Sequence, residues 1–274
     1  MGMEVLRLIR ENSDINGLNQ RGYTPLQVAC IYNRLGIVRV LLAAGAKIDT
    51  LDKLGRTPLM NVIRSQSNNI IEDDKAFDRL LDGSLHLDNN NNSELHYLSR
   101  FNYPNRLRQL CKLSMMTNHI NINGMTPLHI AAQFGLYNNF KILSRVVPPN
   151  QWNPSDYQPL LNLVVGYNDE QSARIKMIES IVAVQRERVY ANSHGYNALH
   201  VAIVNGLSTI AELLIDVYPD LINCLTNGGD SPLDLAIDND RSVISYLMDR
   251  GGQVNRVNQG YTMMERDIEL IKTM

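Results

Sequence analysis

The sequence predicts an all-α solenoid: stacked helix pairs joined by hairpins that project to one side. Three observations carry that prediction. A motif centred on Thr-Pro-Leu returns about every 33 residues along the 274-residue chain. Apolar residues at helical spacing follow the better copies. Glycines stand where a second helix has to end.

The period comes first, because internal repeats decide the fold before any single element does. Gly22-Tyr23-Thr24-Pro25-Leu26 and Gly55-Arg56-Thr57-Pro58-Leu59 set the frame. The fullest copy runs from Gly124 through Thr126, Pro127, Leu128 and His129 to Ala132. Drifted copies begin at Ser93, Gln158, Asn197, Ser231 and Thr262, and the successive spacings from Thr24 are 33, 36, 33, 32, 39, 34 and 31 residues.

Each residue type in the motif has a local reason. The hydroxyls of Thr24, Thr57 and Thr126 are placed to cap the helix that follows. Pro25, Pro58 and Pro127 then fall in the first turn, where no amide hydrogen bond is lost. Leu26, Leu59 and Leu128 point to a core, and Ala29, Ala131 and Ala132 are small where two helices approach. Ile37 to Leu42 reads as the second helix, with Gly45 ending it in a left-handed conformation. One such unit cannot bury its own apolar faces, but stacked neighbours do.

This pattern resembles the ankyrin-repeat family: Thr-Pro-Leu-His, two small residues, a Gly, an apolar Leu-Leu helix, then Gly-Ala. The resemblance covers essentially the whole chain. It implies about seven full repeats after a partial N-terminal one, as a single array over 1–274. Residues 1–16 form the partial repeat, 17–257 the main repeats, and 258–274 a C-terminal partial repeat or cap. Insertions near 65–75 and 166–172 read as longer loops, and a long helix is expected over about Ser172 to Arg188. Glu4 to Arg10 reads as a second helix without its first, so the chain starts inside a repeat.

Composition removes several function classes. Net charge is −2, with 26 basic and 28 acidic residues, which does not mark a nucleic-acid or anionic-membrane binder. No apolar run reaches the roughly 20 residues that cross a bilayer. Cys30, Cys111 and Cys224 are odd in number and far apart, which fits a reducing compartment rather than a disulfide framework. The Asn89 to Asn92 run reads as compositional bias. No metal spacing, phosphate loop or nucleophile elbow occurs, so no catalytic residue, cofactor or metal is expected. Cys30 sits at a small-residue position and reads as packed. The resemblance gives His96, His129 and His200 a structural hydrogen bond to backbone at the repeat junction.

What remains is a surface. The resemblance places variable contact positions around the hairpin Gly and after the small-residue pair. Carried over residue by residue, these give Tyr23, Tyr32, Arg56, Arg64, Arg100, Phe101, Met125, Phe134, Trp152, Tyr157, Tyr196 and Tyr261 as expected partner contacts. Aromatic side chains bury much area at little entropic cost. The cluster of Phe134, Trp152 and Tyr157 is the expected centre. Arg56, Arg64 and Arg100 read either as a solvated face or as contacts to an acidic partner segment.

The expected function is therefore a protein-binding module, monomeric and cytoplasmic, with another protein as partner and no nucleic acid or membrane insertion. An alternative is the recognition part of a larger enzyme or toxin-like effector. Self-assembly through an uncapped end is a third reading. Divergent repeats and high asparagine are similar to ankyrin proteins of intracellular bacteria or large DNA viruses, which act inside host cells. The stretches around Asn16 and Asn255 resemble the hairpin segment that an oxygenase hydroxylates in many ankyrin repeats. A turn-forming role alone is the other reading of both residues.

Overall fold

Thr24 shows how each repeat begins. Its hydroxyl accepts from the backbone N–H of Gln27, and the Gln27 side chain accepts from the Thr24 N–H in return, so two orphan donors of the helix start are satisfied. Pro25 follows in the first turn. Thr57 keeps half of this device, its hydroxyl accepting from the Met60 N–H, and the full reciprocal pair recurs at Asn197 and Ser231.

The computed structural model describes residues 14–81, 86–113, 117–152, 160–166, 171–183 and 191–255. Among them every regular element is helical, with no strand. Two compact units are present, one of residues 1–131 and 138–147, the other of 132–137 and 148–274.

In the first unit the helices are α1 (Pro25–Ile31), α2 (Leu35–Ala43), α3 (Pro58–Arg64), α4 (Asn68–Ile71), α5 (Asp74–Leu80), α6 (Glu94–Ser99) and α7 (Pro104–Leu113). α8 (Pro127–Gln133) begins in it, and most of α9 (Tyr137–Val146) belongs to it. First helices stack on first helices: α1 packs on α3, and α3 on α6. Their buried faces carry Leu26, Ala29 and Cys30, then Leu59, Val62 and Ile63, then Leu95 and Leu98. The Cys30 thiol is fully buried, and that burial pushes its pKa far up.

The insertion expected as a loop near 65–75 is instead partly helical. Ser67 turns the chain, with its hydroxyl donating to the Cys30 carbonyl at 2.6 Å, and α4 buries Ile70 and Ile71. Apolar side chains at consecutive positions made that turn worth ordering. The second insertion lies mainly at 167–170, outside the described residues, as do residues 1–13 and 256–274.

In the second unit α10 (Leu160–Gly166) packs on α11 (Gln171–Val182) and on α12 (Ala198–Val204). α12 packs on α13 (Ser208–Val217) and α14 (Pro232–Asn239), and α14 on α15 (Ile244–Asp249). The Asn162 side-chain amide donates to the Tyr196 carbonyl at 2.7 Å and ties α10 to the next hairpin.

Candidate protein-binding face

Five of the described hairpins are each built on one Asn or Asp at an equivalent position. Asn19, Asp52, Asp88, Asn121 and Asn192 each accept, through Oδ1, from the backbone N–H groups two and four residues on. Such Asx turns fold the chain back without a strand partner. The residue three places on takes positive φ: Gly22, Gly55, Gly124 and Gly195, and Asn91 at 62°. Asn is the side chain that best tolerates this region.

Successive hairpins are then tied together. Asn89 donates its N–H to the Leu54 carbonyl at 2.9 Å, and Ile122 to Asn90 at 3.1 Å. In the second unit Asn227 donates to His194 at 3.0 Å. The asparagine run is thus structural rather than a compositional accident. Asn89 also reaches the Lys53 carbonyl, Asn91 the Ile120 carbonyl, and Asn92 both Asp88 and Asn121.

Two of the three histidines expected at repeat junctions, His96 and His200, make that bond, and His129 is buried with its Nδ1 accepting from the Thr126 N–H. His96 is buried; its Nδ1 accepts from the Ser93 N–H, and its Nε2 donates to the Met125 carbonyl at 3.1 Å. His200 does the same between Asn197 and Cys224. Burial lowers both, His96 to about 4, so both rings are neutral at pH 7. Gln27 performs this task in the first described repeat, donating to the carbonyls of Thr50 and Arg56.

The expected contact residues divide. Tyr32 is 62% exposed, and Arg64 and Arg100 are exposed too. Tyr23, Phe101, Phe134 and Tyr196 are half-buried. Tyr157 and Tyr261 lie outside the described residues. Three others are inside. Arg56 is only 4% exposed: its Nε donates to Asp52 at 2.8 Å, and its Nη2 lies 3.5 Å from the Tyr23 hydroxyl. Met125 is 7% and Trp152 2% exposed. Trp152 follows a 3₁₀ turn over Pro149–Gln151, which carries it inward and removes it from the expected surface cluster. Asn16 accepts from the Lys47 N–H at 2.9 Å, and Asn255 donates to the Gly229 carbonyl at 2.8 Å.

The Asp52 and Asp88 carboxyls are both buried on this face of the first unit. Burial alone pushes Asp52 up, but the N–H groups of Arg56 and Leu54 and the Arg56 guanidinium outweigh it and hold the carboxyl below its ordinary range. Asp88 accepts the Tyr97 hydroxyl at 2.7 Å as well as Asn92. Burial first, and then that carboxylate, pushes the Tyr97 phenol well up, while Arg56 and Arg64 pull the other way.

Sequence reasoning passed over Tyr97. It also passed over a large aliphatic residue just before the four Asx residues of the first unit: Leu18, Leu51, Leu87 and Ile120. Leu18, Leu51 and Ile120 are exposed and Leu87 is half-buried. The signal was available, because these four residues keep the spacing of the repeat itself.

Stacked helix pairs and Asx-built hairpins define a repeat protein, with Tyr32, Arg64 and Arg100 exposed at its helix ends. Family models for ankyrin repeats match residues 3–73 (three copies), 123–153 (one repeat) and 186–236 (many copies). The chain belongs to the ankyrin-repeat family, whose domains are generally non-catalytic protein-interaction modules.

Two human proteins are similar in sequence. Transient receptor potential cation channel subfamily A member 1 is 22% identical over 213 residues, 76% of this chain and 19% of that protein. Mitochondrial disaggregase is 30% identical over 162 residues, 57% of this chain and 22% of that protein. The chain thus spans about a fifth of the length of either relative. Among the described residues no helix is long and apolar enough to cross a membrane, and no cluster of His, Cys, Asp or Glu is arranged to hold a metal.

Proposed function

We propose that the chain binds a partner protein across the hairpins and first helices of its first unit, as a monomeric, cytosolic interaction module that does not take nucleic acid. The observation that supports this best is the exposure of Tyr32, Arg64 and Arg100 at helix ends, beside half-buried Tyr23 and Phe101. Aromatic and arginine side chains anchor interfaces more often than other residues. Affinity capture followed by mass spectrometry tests the reading, with Tyr32→Ala/Arg64→Ala/Phe101→Ala as the control. A partner that stays bound to a folded triple variant removes this face from the proposal.

A second reading is a recognition segment within a larger effector or enzyme. It draws on the relatives, a cation channel subfamily member and a mitochondrial disaggregase, in which the matched region is about a fifth of the whole. The length of the native gene product separates it from the first. Asn16 and Asn255 remain proposed oxygenase targets, and intact mass after incubation with such an enzyme decides that point.

A further inference from the structure

We infer that the partner segment on this face is acidic and carries aliphatic side chains at every third residue, in a polyproline II conformation. The inference rests on the protein-binding reading and gives it a chemistry.

Charge is the first argument. Arg21, Lys53, Arg64 and Arg100 are exposed. Among the described residues no carboxylate pairs with Arg21, Lys53 or Arg64. Asp52 and Asp88 are spent inside, the first on Arg56 and two backbone N–H groups, the second on Tyr97, Asn92 and its own turn. An approaching chain therefore meets cations here, although the protein as a whole carries −2. Carboxylates match exposed guanidinium groups in geometry as well as sign.

Apolar spacing is the second. Leu18, Leu51, Leu87 and Ile120 place one aliphatic side chain per layer at the same hairpin position, with Leu54 and Ile122 exposed at the tips. Packed helices set layers about 8–10 Å apart. A polyproline II chain rises about 3.1 Å per residue with three residues per turn, so one face returns about every 9 Å. A β-strand puts residues three apart on opposite faces and cannot follow the same stripe. A phosphate backbone would use the cations but leave the aliphatics idle.

Panning a phage-displayed random peptide library against the whole chain tests this, with Kd values of synthetic winners read by fluorescence anisotropy. The expected winners carry Asp or Glu and apolar residues three apart. Their affinity falls tenfold or more for Lys53→Glu/Arg64→Glu at unchanged circular dichroism, and a Lys-for-Glu version of the peptide regains affinity for that variant. Neutral or basic winners, or winners indifferent to the double variant, overturn the acidic chemistry while leaving protein binding to the capture experiment. Apolar residues two apart overturn the conformation. Tighter binding of a 20-nucleotide single-stranded DNA that is lost in the same variant overturns the peptide in favour of a polyanion.

Discussion

The backbone of Asn89 lies so close to Gly55 that a β-carbon on the glycine would sit 2.9 Å from the Asn89 nitrogen and 2.6 Å from its side-chain oxygen. Neighbouring hairpins are stacked backbone on backbone at this point, and Gly55 has φ of 74° besides.

Gly55→Ala is therefore expected to destabilise the protein by about 1–3 kcal/mol, from the left-handed backbone and the forced separation of two hairpins. Gly195→Ala, where a β-carbon would lie 2.5 Å from the Asn227 nitrogen, behaves alike. Gly36→Ala is the contrast: it lies inside α2 with nothing within 4 Å, and should stabilise by about 0.4–1 kcal/mol. Urea denaturation of the three variants reads the signs directly.

His96 makes stability depend on pH. Its folded pKa is about 4, below an unfolded value near 6.5. The unfolded chain binds the extra proton between those values, so stability is full above about pH 6.5 and is lost as pH falls towards 4, by about 3 kcal/mol from this residue. His96→Gln should hold stability at pH 7, because Gln27 already does this job in the chain, and should flatten the acid limb. Urea midpoints from pH 7.5 to 4 measure both. An unchanged acid limb in the variant rejects the assignment.

Arg56 and Arg64 should part company. Arg56→Ala leaves the Asp52 carboxylate buried without its cation, a loss of about 3 kcal/mol or more. Arg64→Ala, at an exposed helix end, should stay within about 0.5 kcal/mol of wild type. Thermal melts compare the two.

Trp152→Ala should cost about 3–5 kcal/mol, as for a large buried aromatic. A melting temperature near wild type would place the indole on the surface after all.

The repeat was legible because capping and turn chemistry are local: Thr24-Pro25 and Gly55 carry their meaning in two or three adjacent residues. The junction histidines were legible on the family resemblance. The face was legible in part. Tyr32 and Arg64 are exposed at helix ends, as the register leads one to expect, while their role as contacts stays a proposal. Arg56 is not exposed, because its place is decided by a carboxylate four residues back on a turn, outside helical periodicity. Trp152 was assigned from the drifted Gln158 copy, where a Pro-Pro pair starts a 3₁₀ turn that the period does not encode. The aliphatic ridge from Leu18 to Ile120 appears only when hairpin positions are compared across repeats instead of within one.

The hairpin bonds also bear on how such a chain changes over generations. Leu54 and Asn90 accept at one position of the repeat, and Asn89 and Ile122 donate from the next. Both ends of the joint are backbone groups, present whatever side chains the layer carries. Loss or duplication of one whole period brings together an acceptor and a donor that already fit, so the array can change length by recombination while each layer's outward residues drift freely.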